Sequence, residues 1–392
     1  MPRPFDPNAP LLFTAFEPSG DDHAAGVIAE LKRRNPNRPI FAWGGPRMEK
    51  AGAILIRRTG EDAVMGLPGL AKIQEHRRIN ADVDKWMTLN PVAVHIPVDS
   101  PGANFPLCKI AKKHRIKVVH LVAPQIWAWG RWRIDKLRDR TDMVLCLLPF
   151  EQRFFERRRV PAKFIGHVLF DQPVEKADLA RRAMPFGDGH PRIALMPGSR
   201  PDELHRHFPV LLEAFAAIRK QHPSAKGVVA ATSPNVANLL KDLARLEGGW
   251  PDGLSIAVQE TDAIIHWCDI ALVKSGTVTL QVTRQLKPMI VLYKKTNPFF
   301  FIFVRAILAT KLFSLPNVIA SKRIVPEFIP HWGGGEPIAA EALRILASPE
   351  RQREQIASLQ NIVSQFQGFN ARVLAADAIE DISAGIPSAT NS

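Results

Sequence analysis

Arg192-Ile-Ala-Leu-Met-Pro-Gly-Ser-Arg200 reads as an apolar strand running into a Pro-Gly-Ser-Arg turn, and Asp202 to Lys220 beyond it has the period of a helix. A strand that enters a helix through Gly198, Ser199 and Arg200 aims backbone N–H groups, a hydroxyl and a guanidinium at one point, which suits a phosphate. An ordinary turn capped by Ser199 would look the same. The second occurrence of the pattern decides between them. Asp269-Ile-Ala-Leu-Val is followed by Lys274-Ser-Gly-Thr277 in the same half of the chain. Two such turns in one α/β half point to a nucleotide-diphosphate site.

Outward from this stretch, apolar runs bounded by turn residues alternate with helical-period segments, the pattern of βα units and parallel sheets. The runs at 11–16, 40–44, 93–98, 118–122, 143–148 and 163–165 are expected strands of the first half; those of the second are 193–196, 227–231, 255–258, 270–273 and 289–292. The expected fold class is α/β, with two Rossmann-like doubly wound domains facing across a cleft and a helical C-terminal segment. Residues 1–170 form the first domain and 191–335 the second. The stretch 171–190 is expected as a linker, because it is polar and carries Pro173, Pro185, Gly187 and Gly189. Helices and a tail fill 336–392. Ligands of such domains sit at the carboxyl ends of the strands.

The chain has 392 residues, and 52 Lys and Arg against 38 Asp and Glu leave a net charge of +14. That excess favours anionic partners. No disordered basic tail, recognition-helix pattern or aromatic-laced basic strand is present, so nucleic acid is set aside in favour of a phosphorylated ligand or an anionic membrane surface. Cys108, Cys146 and Cys268 lie far apart without metal-ligand spacing and read as reduced, buried cytoplasmic residues. The N-terminus lacks the basic-then-apolar pattern of a signal peptide. Asn297 to Thr310, with four phenylalanines among Phe299 to Phe303 and Arg305 within it, is too short to span a bilayer. It suits either a core helix or one lying in a membrane interface, with Arg305 and Lys311 on lipid phosphates.

Further motifs close the remaining expected strands. Glu17-Pro-Ser-Gly-Asp21 follows the first; Ser19 and Asp21 suit helix capping and Gly20 a tight turn, which leaves Glu17 without a structural role. Asp99-Ser-Pro101, with Asn104 behind it, puts an acid at a strand end, either as a general base or as the cap of a helix starting near Pro106. Pro124-Gln-Ile-Trp-Ala-Trp-Gly-Arg-Trp132 gathers three tryptophans beside basic residues, which suits a sugar face, an acyl chain or a phosphate, or packing between domains. Asp82-Val-Asp84 reads as a solvated helix face. There is no Gly-x-x-x-x-Gly-Lys loop, zinc spacing or Gly-x-Ser-x-Gly elbow, which excludes P-loop enzymes and serine hydrolases of that type.

Taken in order, these motifs resemble the lipid-A-disaccharide synthase family of inverting GT-B glycosyltransferases. The resemblance rests on Glu17 to Asp21, Gly44-Gly-Pro-Arg-Met48, Val64-Met-Gly66, Asp99 to Pro101 with Asn104, Pro124 to Trp129, Leu148-Pro-Phe-Glu151, Phe164-Ile-Gly-His167, Met196 to Arg200, Ser275 to Thr277, Leu315-Pro-Asn-Val-Ile-Ala320 and Val325-Pro-Glu-Phe328. It implies that 2,3-diacylglucosamine passes from UDP-2,3-diacylglucosamine to the 6-hydroxyl of 2,3-diacylglucosamine 1-phosphate. The products are a β-1,6 disaccharide and UDP. The first domain would then bind the acceptor and the second the UDP-sugar.

By the same resemblance Asp99 is the general base, Arg200 binds the departing diphosphate, and Asn317 lies at the donor site. Substrate contacts are expected from Glu17, Ser19, Gly20, Asp21, Asn104, Gln125, Trp127, Ser199, Ser275, Gly276, Thr277, Gln281 and Glu327. No cofactor and no metal are implied. The enzyme is expected in the cytoplasm on the inner face of the cytoplasmic membrane, and self-association into a homo-oligomer is compatible with it. Phe16, Gly102-Ala103, Gln281 and Pro330 depart from the family pattern; Gln281 stands where a Glu binds ribose hydroxyls, and it accepts a hydrogen bond without charge. Two other readings stay open: a GT-B enzyme acting on another UDP-sugar, as transferase or epimerase, and a catalytically weak homologue that binds lipid or UDP.

Overall fold

The computed structural model describes residues 6, 8–59, 69–294 and 310–386. The chain divides into two compact units, 1–171 together with 368–392, and 172–367. Val64 to Gly66 and the Phe-rich 297–309 lie outside the described residues.

The first unit runs β1 (Leu11–Thr14), α1 (Pro18–Arg34), β2 (Ile40–Gly44), α2 (Pro46–Lys50), β3 (Ile54–Arg58), α3 (Gly69–Leu89), β4 (Val94–Pro97), α4 (Pro101–Lys113), β5 (Lys117–Leu121), α5 (Ile134–Arg140), β6 (Met143–Cys146), α6 (Glu151–Glu156) and β7 (Ala162–Phe164). Among the described residues its sheet has seven strands in the order β3-β2-β1-β4-β5-β6-β7, all parallel. β1 and β4 are buried on both faces, which is why, Thr14 and His95 apart, they read as apolar runs rather than alternating ones. Strand order reverses between these two, so their carboxyl ends, carrying Glu17 and Asp99, flank the switch point where such sheets bind ligands.

The second unit runs α7 (Lys176–Ala183), β8 (Arg192–Met196), α8 (Pro201–Gln221), β9 (Lys226–Ala231), α9 (Pro234–Leu246), β10 (Leu254–Val258), α10 (Thr261–Trp267), β11 (Ile270–Lys274), α11 (Val278–Arg284), β12 (Met289–Lys294), α12 (Leu315–Ala320), β13 (Glu327–His331), α13 (Glu336–Leu346) and α14 (Pro349–Ser364). Its described sheet is six-stranded and parallel, in the order β10-β9-β8-β11-β12-β13. Helix α8 buries Leu204, Phe208, Leu211, Phe215 and Ile218 at helical spacing. Each large side chain so enclosed stabilises the unit by roughly 1.5–3 kcal/mol. β8 and β11 are neighbours, with Met196 paired to Val273, so the turns at 197–200 and 274–277 leave adjacent strand ends.

A last helix, α15 (Ala371–Ser383), packs on α1 and inserts Ala371, Ala375 and Ile379 among Leu11, Val94 and Ile96 of the first unit. Arg34 fastens it through Asp377 and Glu380, each at 2.7 Å, and Asp171 accepts the Ala371 amide at 2.8 Å. The C-terminal segment therefore serves the first unit's core. The 171–190 stretch holds α7, which packs on α10.

Two strands were not foreseen, β3 and β13. Both lie at sheet edges, where one flank is open and no long apolar run is required: β3 ends in Arg57-Arg58, and β13 contains Pro330, tolerated because an edge strand has an unpaired side. Helix α4 starts at Pro101, not near Pro106, because proline suits the first helical position, where no N–H is needed.

Candidate active site

Asp99 stands just beyond β4 with φ 48°, and Ser100 follows with φ 39°. Two successive left-handed residues without glycine cost on the order of 1–3 kcal/mol each and persist only when their surroundings hold them. Here the Asp99 amide donates to the Leu121 carbonyl at 2.9 Å, and Asn104 Nδ2 donates to the carbonyls of Val98 and Asp99, both at 2.9 Å. Burial raises the Asp99 pKa above its ordinary value; the Ser100 amide opposes this and the Glu17 charge adds to it. Asp99 is thus a carboxylate at the switch point with a strengthened affinity for a proton. Helix α4 takes Ser100, not Asp99, as its N-cap.

The other first-unit candidates divide into open and structural groups. Glu17 occupies the N-cap of α1, makes no capping hydrogen bond there and is half-buried; Ser19 is exposed and Gly20 buried. Neither Ser19 nor Asp21 caps α1. Asp21 instead accepts the amides of Gly45, Arg47 and Met48 at 3.0–3.1 Å, so its carboxylate closes the start of α2. Asn104 is fully buried with its carboxamide spent on the Asp99 elbow. Both were expected to touch substrate; in the fold they hold backbone. A Cβ on Gly102 would meet nothing within 4 Å, so the fold does not demand glycine there.

In the tryptophan loop the expected contact Trp127 is buried, its indole donating to Glu151 at 2.9 Å, while Glu151 also accepts the amides of Leu147 and Leu148. Burial pushes Glu151 up to about 7 against these three hydrogen bonds. Gln125 is exposed, and the aromatic faces toward solvent are Trp129 and Trp132, with the Arg133 guanidinium 3.9 Å over the Trp129 ring. A single sequence cannot tell which of three clustered tryptophans the core will take.

In the second unit Ser199 and Arg200 are exposed at the entry to α8, and Arg200 is its N-cap. Gly198 has φ 116°, and a Cβ there would lie 2.7 Å from the Glu203 carboxylate, so glycine is required. Glu203 is nine-tenths enclosed and pairs with Lys274 Nζ at 2.8 Å; the Arg200 guanidinium approaches the same oxygen at 3.6 Å. Burial pushes the Glu203 carboxyl up, but Lys274, Arg200 and the Ser199 amide outweigh it and hold it below its ordinary value. Ser275, Gly276 and Gln281 are half-exposed and Thr277 exposed, around the start of α11. Glu203 went unmarked in the sequence, and Lys274, quoted with its turn, was given no role of its own. The signal was there, an acid three residues after Arg200 and a lysine abutting Ser-Gly-Thr.

Asn317 is fully buried: Nδ2 donates to the Val325 carbonyl, and Oδ1 accepts the amides of Ile324 and Val325. It braces that segment. Glu327 accepts the amides of Phe313 and Ser314 through one oxygen, and its other oxygen is enclosed with no partner among the described residues. Arg323, Glu327, Glu341, Arg351 and Gln355 line a cavity of about 600 Å³ that none of Ser199, Arg200 or Ser275 to Thr277 enters. Among the described residues no three His, Cys, Asp or Glu side chains gather as metal ligands do. Exposed Arg200 carries charge, and the turn hydroxyls and backbone amides are donors, the kind of groups that suit an anion.

Comparison with known proteins fits this geometry. The chain is 35% identical over 358 residues to a lipid-A-disaccharide synthase of Anaeromyxobacter dehalogenans, covering 90% of this chain and 92% of that one. It is 35% identical over 370 residues to one of Cellvibrio japonicus, covering 93% and 94%. The crystal structure of the glycotransferase of kitacinnamycin superposes with a TM-score of 0.63 over 97% of this chain and 100% of that one; at 13% identity this likeness bears on the fold alone, which is GT-B. The lipid-A-disaccharide synthetase family profile matches residues 11–380, and with two relatives above 30% identity over nine-tenths of its length the chain belongs to that family.

Proposed function

We propose that this glycosyltransferase moves 2,3-diacylglucosamine from UDP-2,3-diacylglucosamine to the 6-hydroxyl of 2,3-diacylglucosamine 1-phosphate. The observation that carries the chemistry is Asp99, a carboxylate of raised pKa held on a left-handed elbow at the sheet's switch point. Its carboxylate takes the hydroxyl proton as that oxygen attacks the anomeric carbon of the donor. The bond to the diphosphate breaks on the opposite face, which inverts the centre and releases UDP. A base whose pKa is raised toward the working pH shares the proton more effectively in the transition state. Arg200, Ser199 and the Ser275-Gly276-Thr277 turn receive the charge that develops on the diphosphate, and Gln281 accepts from the ribose hydroxyls. Asn317 and Asp21 act by holding backbone, at 324–325 and at the start of α2.

The acceptor and the diacyl donor are membrane lipids, so the enzyme works at the inner face of the cytoplasmic membrane. The net charge of +14 favours an anionic bilayer, and the Phe299 to Phe303 segment offers apolar anchorage. Among the described residues no helix is long and apolar enough to cross a membrane. The deciding experiment incubates purified protein with the two monosaccharide precursors and reads products by mass spectrometry. Disaccharide and UDP are expected; UDP binding without disaccharide would leave only a binding homologue, and turnover of another UDP-sugar would move the donor assignment.

A further inference from the structure

Behind Asp99 lies a buried polar chain that the reaction as described does not use. Thr14, the last residue of β1, has its hydroxyl 2.8 Å from Asn104 Oδ1 and 3.0 Å from His95 Nε2. Asn104 Nδ2 reaches the Val98 and Asp99 carbonyls at 2.9 Å. Thr14, His95 and Asn104 are all fully buried.

The donors and acceptors leave one arrangement. Two carbonyls can only accept, so Asn104 must turn its NH₂ toward them and its oxygen toward Thr14. The single Thr14 proton is then spent on Asn104, and the Thr14 oxygen accepts from a proton on His95 Nε2. Reversing the carboxamide would set its oxygen against both carbonyls. His95 sits in β4, paired in register with Leu12 of β1, while Asn104 lies in the opening turns of α4. The chain therefore ties β1, β4 and α4 together around the left-handed Asp99-Ser100 elbow.

We infer that Thr14, acting through Asn104, is a positioning residue that sets the direction of the Asp99 carboxylate toward the acceptor hydroxyl. The inference rests on the reading of Asp99 as general base. Without the Thr14 hydroxyl, Asn104 Oδ1 is left buried without its donor, the carboxamide is held from the carbonyl side alone, and the elbow it braces is loosened. A misplacement of about 1 Å at a reacting group costs on the order of 10²-fold in rate.

The test compares Thr14→Val, Thr14→Ser, Asp99→Asn and the Thr14→Val, Asp99→Asn double variant. The expectation is that Thr14→Val lowers kcat by about 10- to 100-fold while UDP affinity by calorimetry stays unchanged. Thr14→Ser, which keeps the hydroxyl, returns kcat to within about threefold of wild type. Because Thr14 acts through Asp99, the double variant is no slower than Asp99→Asn alone. Should Thr14→Val not fold, Thr14→Ala takes its place against the same Thr14→Ser control. Undiminished kcat in Thr14→Val, a serine variant no better than valine, or losses that multiply in the double variant would each overturn the positioning role. Undiminished kcat in Asp99→Asn would remove the base assignment and this role with it, an outcome distinct from the other three.

Discussion

Lys274 Nζ lies 2.8 Å from Glu203 Oε1, joining the end of β11 to the first turn of α8. Both side chains are largely enclosed, at 14% and 9% exposure, so this pair is not a solvent-screened surface bridge. It ties the Gly198-Ser199-Arg200 turn to the Ser275-Gly276-Thr277 turn, and with them the two halves of the proposed diphosphate site.

Lys274→Met should therefore destabilise the second unit by roughly 3–5 kcal/mol, the cost of leaving one partner of an enclosed pair uncompensated. Glu203→Gln combined with Lys274→Met should lose less than the two single losses added together, since neither charge is then stranded. Denaturant unfolding of the three variants measures this. Strict additivity would mean that the two residues do not stabilise one another.

Arg200 is the contrasting case. Its guanidinium is 73% exposed and only 3.6 Å from Glu203, so it contributes little to folding. Arg200→Ala should weaken UDP binding by about 1.5–3 kcal/mol, the range for a hydrogen bond to a charged group, and leave the unfolding midpoint almost unmoved. Calorimetry with UDP decides it, and unaltered affinity would take the guanidinium out of the phosphate site.

The Glu17 charge helps to raise the Asp99 pKa, in addition to the larger effect of burial. Neutralising it in Glu17→Gln should lower that pKa. A base is active once deprotonated, so the acid limb of kcat/KM should move to lower pH. A pH–rate profile of the variant in which that limb stays in place would sever the coupling between the two carboxylates.

Five enclosed histidines contribute to the acid stability. Burial lowers His95 and His167 to about 3 and His23, His120 and His207 to about 4, from 6.5 in an unfolded chain. The unfolded chain thus binds more protons below 6.5. The stability they contribute is fully present above 6.5 and is lost as pH falls from there toward 3. At the steepest, each subtracts about 1.4 kcal/mol per pH unit. Glu151, raised to about 7, acts in the opposite sense between 4.5 and 7, as do Asp99 and Asp171, which burial also raises, but these are three groups against five. Melting temperature against pH should fall steeply below 6.5, and a flat curve down to pH 4 would contradict this account.

The sequence by itself determined the two parallel sheets, because strands covered on both faces must be largely apolar, and β1, β4, β8 and β11 are, each with a single polar residue, Thr14, His95, Arg192 and Lys274. It also located the turns at 17–21, 99–101, 197–200 and 275–277, since a strand that ends in Gly, Ser or Asp before a helix is legible from local chemistry alone. Edge strands β3 and β13 escaped, because an open flank removes the need for the apolar signal. Side-chain roles within the motifs were a different matter. Asp21, Asn104, Trp127 and Asn317 have the residue types of ligand contacts, and only the fold shows them turned inward to hold α2, the Asp99 elbow, Glu151 and the 324–325 segment. Thr14 with Asn104 and Glu203 with Lys274 are 90 and 71 residues apart and carry no local pattern. A polar group must find a partner once buried, and which partner lies within 3 Å is decided by strand order and register, which neighbouring residues in a chain do not encode.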